Sequence, residues 1–157
     1  MSESRKRKIT ERLPFLKIYT AIFGIWLNSK TNNMTENYIP PKTVAELLER
    51  YKNGERYFVE SDFDDKVCDF CNLNLEGVNF SKSYILGDFR GANLRNSDFS
   101  NANVKTCDFR EADLTNATFE NSAIDGAIFK GAILQNTIFS NASFYGCILK
   151  EGEIPDW

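Results

Sequence analysis

Cys68 and Cys71 enclose Asp69 and Phe70 in the stretch CDFC. That spacing suits a dithiol redox pair or one half of a zinc site. Neither chemistry is completed elsewhere. No second cysteine pair follows at zinc-site spacing, and the 157-residue chain has no histidine at all. Without histidine the usual general base and the commonest metal ligand are both missing. There is no GxxxxGK phosphate loop and no Ser–His or Cys–His pair. Carboxylates are plentiful, 22 Asp and Glu in all, but a carboxylate needs a cleft or a like-charged neighbour to become a catalyst. The sequence therefore assigns no catalytic residue, no cofactor-binding residue and no metal ligand. It predicts a non-enzyme without a cofactor.

What positions these residues is a period of five. Leu94, Phe99, Val104, Phe109 and Leu114 are evenly spaced, a repeat that neither a helix nor a plain strand has. Seventeen such units run from Cys68 to Glu151, centred on Phe70 at one end and Leu149 at the other. Two residues before each centre stands a small side chain, Leu73 being the exception. Residues two apart on an extended chain share a face, so each unit points one large and one small side chain inward. Most units end on Asn or Gly, residues that tolerate the positive φ of a corner. On this pattern Cys68, Cys107 and Cys147 point inward and Cys71 outward, which makes the CDFC pair structural.

A second period says how many corners close a turn. Phe99, Phe119 and Phe139 are 20 residues apart, as are Leu94, Leu114 and Leu134. Like stacks on like every four units, so the body is an all-β solenoid of about four square coils. The units ANLRN, SDFSN, ADLTN and ATFEN, among others, resemble the pentapeptide-repeat family, whose consensus is close to A(D/N)LxN. The resemblance covers residues 68–151, with Ser61–Asp65 as a degenerate unit. It implies a right-handed quadrilateral β-helix and a non-enzymatic role. Some family members mimic duplex DNA and bind DNA gyrase, so a gyrase-binding mimic is the alternative function that the resemblance offers.

Residues 43–60 are expected to cap the first coil. Thr43 and Glu46 form a capping box, Val44, Leu47, Leu48 and Tyr51 make one apolar stripe, and Gly54 ends the helix. The β-helix is expected over residues 61–157, with no comparable cap after the last unit. Residues 1–42 are a basic and apolar extension. Its stretch 13–27 is too short to span a bilayer. Three readings stand: an anchor on a membrane surface, a segment that docks on a partner, or an upstream extension with Met34 as the working start. Four cysteines and no clean secretory signal favour a cytoplasmic protein with free thiols, peripheral membrane association being left to residues 13–27.

The surface pattern favours binding another protein. Residues 61–157 carry 8 Lys and Arg against 15 Asp and Glu, which argues against direct nucleic-acid binding. Arg90, Arg110, Lys130 and Lys150 fall in line on one side and form a candidate partner surface. Ile128, Ile133, Ile138 and Ile148 occupy an outward position that is polar in earlier units. With Trp157 they form a candidate homodimer interface at the C-terminal coil; the competing reading is that residues 1–42 or the tail around Trp157 wrap over them within one chain.

Overall fold

The computed structural model describes residues 38–63 and 67–155. Segment 13–27 and Trp157 lie outside them. Among the described residues, one helix, α1 (Val44–Lys52), precedes the solenoid. Thr43 has extended backbone, and its hydroxyl accepts from Glu46 N–H at 3.1 Å, as the capping box requires. Leu47 is fully buried in the same core as the coils, and Tyr51 donates its hydroxyl to Glu76 O at 3.0 Å.

The body turns a corner every five residues and pairs in parallel with itself every coil. Asp88 bridges Asp108, which bridges Ile128, and Asp113 bridges Ile133 in the same way. Strand β1 (Cys68–Asp69) pairs in parallel with β2 (Gly87–Asp88). Four sides result, each identified by its inward column. Side one holds Phe89, Phe109 and Phe129; side two Leu94, Leu114 and Leu134; side three Phe99, Phe119 and Phe139; side four Val104, Ile124 and Phe144. The corners take positive φ at Asn96, Asn101, Asn116, Asn121 and Asn136, where asparagine is less strained than other side chains.

The phenylalanines form two columns in contact. Within a column the rings stack, with centroids 5.0 Å apart for Phe89–Phe109 and 4.9 Å for Phe99–Phe119. Between columns they meet edge to face, as for Phe99–Phe109 at 5.8 Å. Both geometries satisfy the ring quadrupoles. At the last coil the core opens: Leu134 and Phe144 are only partly buried.

Two boundaries differ from the sequence reading. The coils begin before residue 61, because Phe58 is buried and Tyr57 bridges Asn79. The seven-residue gap from Phe63 to Phe70 hides this start from a five-residue search. The last unit does not stack either. Strand β3 (Ser143–Phe144) pairs antiparallel with β4 (Cys147–Ile148), through a turn at Tyr145 and Gly146, both at positive φ. Cys147 is therefore exposed, which corrects the expected inward facing; Cys68 and Cys107 are buried as expected. The hairpin also gives the C-terminal end a cover of its own, with Leu149 buried beneath it.

Candidate functional site: the C-terminal coil and the arginine column

Many corners carry a recurring hydrogen bond. The outward side chain of a strand accepts from the backbone N–H two residues later. Asp88 takes Arg90 N–H at 3.0 Å, Asp98 takes Ser100 N–H at 2.8 Å, and Asp113 takes Thr115 N–H at 3.0 Å. Thr118 does the same for Glu120 at 3.2 Å. These Asx and Ser/Thr turns explain the Asp, Asn and Thr of the repeat. In the last coil Ile128, Ile133 and Ile138 occupy this position and have no acceptor to offer. They stand directly beneath Asp108, Asp113 and Thr118. Three successive corners thus give up a local bond for an exposed aliphatic side chain.

The hairpin adds a fourth. Ile148 lies opposite Ser143 in the antiparallel pair, so it belongs to side four and not beneath Ile128. The four isoleucines form a ring with one member on each side of the solenoid. They are 44, 52, 49 and 60% exposed in chain order. The ring borders an open strand edge. In the coil above, Glu111, Leu114, Asn116 and Phe119 N–H groups donate to the next coil. Among the described residues, their counterparts Gly131, Leu134, Asn136 and Phe139 have no backbone acceptor. The corner ladder ends here as well. Asn116 donates to Asn96 Oδ1 at 3.1 Å and Asn136 to Asn116 Oδ1 at 3.0 Å, and no further rung follows among the described residues.

The basic column is more neutral than its sequence suggests. Arg90 is held by Asp88 (2.6 Å) and lies 3.8 Å from Asp108. Arg110 is held by Asp108 at 2.5 Å. These arginine hydrogen bonds pull both aspartates below the usual carboxylate range. Lys130 stands below them beside Ile128. Lys150 does not continue the line, because the chain has turned back through the hairpin before reaching it. A shallow depression of about 290 Å³ beside the column is lined by Cys71, Asn72, Arg90, Gly91, Arg110 and Glu111. Burial pushes the Cys68 thiol up to about 11 and the Cys107 thiol up to about 12, so neither supplies a thiolate near neutrality. Among the described residues, no three Cys, Asp or Glu side chains could jointly hold a metal ion. No helix among them is long and apolar enough to cross a membrane.

Residues 89–133 and 107–151 each match a family model described as pentapeptide repeats (9 copies). No curated protein matches the chain. Similar solved structures include HetL, a pentapeptide repeat protein involved in heterocyst differentiation regulation from the cyanobacterium Nostoc sp. strain PCC 7120. It is 21% identical over 59% of this chain, with a TM-score of 0.32, and the match spans 49% of HetL, about half its length. A second pentapeptide repeat protein from Nostoc is 23% identical over 74% of this chain and 93% of its own, with a TM-score of 0.30. Rfr23 from the cyanobacterium Cyanothece 51142 is 15% identical over 68% and 99%, at 0.24. Residues 89–151 thus carry the repeats of the pentapeptide-repeat family, whose fold is a right-handed quadrilateral β-helix and whose members are typically non-catalytic.

Proposed function

We propose that this protein is a non-enzymatic protein-binding scaffold whose contact surface is its C-terminal end, and that its first partner there is a second copy of itself. The isoleucine ring carries the reading. A side chain in a sheet is stabilised by its cross-strand neighbours. The neighbours above the ring are Asp108, Asp113 and Thr118, none of them apolar, so matching neighbours must come from below. A second chain meeting end to end would set isoleucine near isoleucine and offer its own strand edge to the open one. A two-fold axis makes such a contact self-complementary. α1 serves as the N-terminal cap in this reading, covering the first of about four coils. Lys130, beside Ile128, extends the surface toward the arginine column.

Gyrase-binding mimicry of DNA is the weaker reading. It calls for continuous negative grooves, whereas Asp88, Asp108, Asp113 and Asp125 are each paired with an arginine or lysine.

Sedimentation of the full chain tests the self-association. A dimer is expected at micromolar concentration. Ile133→Asp with Ile148→Asp should turn it monomeric without loss of the β-sheet circular dichroism signal. A wild-type chain that stays monomeric at high micromolar concentration and binds no apolar dye overturns the proposal.

A further inference from the structure

Side four of the last coil differs from the other three. One coil up, Asn121 N–H donates to Ser140 O, and Ser122 O accepts from Ser143 N–H. Side four thereby passes its strand bonds to the coil below. The counterparts in the last coil, Asn141 N–H and Ala142 O, are both taken by Leu149, at 2.7 and 2.9 Å. Leu149 directly follows β4, which runs the opposite way to β3, so the chain closes its own edge here with an antiparallel segment. The turn between the strands, Tyr145 at φ 47 and Gly146 at φ 81, is the two-residue kind that suits a twisted hairpin.

One carboxylate ties that turn to the body. Two coils above, the N–H after the inward residue is capped from within its own unit, Lys105 N–H by Asn103 Oδ1 at 3.3 Å. Tyr145 N–H instead reaches back a full coil and donates to Asp125 Oδ1 at 2.6 Å. Lys105, one coil further up, holds Asp125 Oδ2 at 3.0 Å. Lys105, Asp125 and Tyr145 thus form a line of three along one corner of the solenoid, ending on the hairpin.

We propose that the hairpin is an edge guard, latched by Asp125, which withholds side four from any chain that adds to the C-terminal end. An uncovered strand edge is a template for another chain's strands, and covering it in cis limits what can pair there. With the guard closed, the edge is offered at sides two and three and side four is spent. With it open, Asn141 N–H and Ala142 O join the open groups and the edge extends to side four. This rests on the reading of the C-terminal end as the self-association surface, and adds what limits its strength.

The test uses the full chain. Asp125→Ala removes the latch. The amides of residues 145–149 should exchange with solvent faster, and the self-association constant from sedimentation should tighten about tenfold. Adding Ser143→Cys and Ile148→Cys, which face each other directly, supplies a lock. The lock takes Ile148 out of the ring and lowers the overall affinity, so the triple variant is compared only with itself: it should associate more tightly under reductant than after oxidation. Gly146→Val strains the turn at its positive φ and serves in place of Asp125→Ala should that chain not fold. The guard is overturned if a folded, unlatched chain associates no more tightly than wild type, or if oxidation of the locked variant changes nothing. If the wild-type, unlatched and Ile133→Asp/Ile148→Asp chains are all monomers, the self-association reading falls too. A wild-type dimer with an unaltered constant in Asp125→Ala removes the guard alone.

Discussion

An isoleucine at position 128, 133 or 138 forgoes a hydrogen bond that aspartate makes one coil earlier. Ile128→Asp should restore it, with Lys130 N–H as donor and the Lys130 side chain as a nearby counter-charge. A local bond of this kind contributes about 0.5–1.5 kcal/mol. In dilute solution, where association is negligible, the melting temperature should rise by a few degrees; a fall would mean that the isoleucines stabilise the single chain. The thiols divide by facing. Cys71 and Cys147 should react with alkylating reagents in the native state, and Cys68 and Cys107 only on unfolding. Inward facing was legible at Cys68 and Cys107 because both sit in uninterrupted units. It failed at Cys147, where the hairpin turns the residue outward. Acid should weaken the corners in a defined sense. The native values of Asp88 and Asp108 are depressed by arginine, so their stabilisation is complete above the ordinary carboxylate value of about 4. It is lost as pH falls below that, through the native values. A melting temperature flat from pH 8 to 5 and falling below about pH 4 is expected.

At the scale of elements, the phenylalanine columns hold the coils in register, and their period made the fold readable. Phe109 contacts stacked neighbours above and below and edge-on neighbours at the side. Phe109→Ala should cost about 3–5 kcal/mol and show as an early unfolding midpoint in urea. Helix α1 was legible as well, because Thr43, Glu46 and Gly54 mark its ends chemically. The hairpin was not. Residues 147–151 fit the repeat as well as any unit, and Gly146 stands where a corner glycine is normal. Only Tyr145, a bulky residue that must take positive φ beside that glycine, separates a reversing turn from an ordinary corner. The same blindness moved Ile148 to the wrong side and added Lys150 to a column it does not join. The open edge was half legible: the isoleucine pattern located it, but the missing acceptors below Leu134 and Phe139 appear only in three dimensions.

For the whole molecule, the central claim is that a capped four-sided solenoid presents one end, its C-terminal coil, to a second copy. The most direct measurement is amide hydrogen exchange at several protein concentrations. Among the described residues, Leu134, Asn136 and Phe139 N–H have no backbone acceptor, while Leu114, Asn116 and Phe119 donate to the coil below. Self-association through this edge predicts that the second set is protected at every concentration. It predicts that the first set exchanges freely when dilute and becomes protected at high micromolar concentration. Equal, rapid exchange of Leu134, Asn136 and Phe139 across the whole series, with Leu114 and Phe119 still protected, would contradict it.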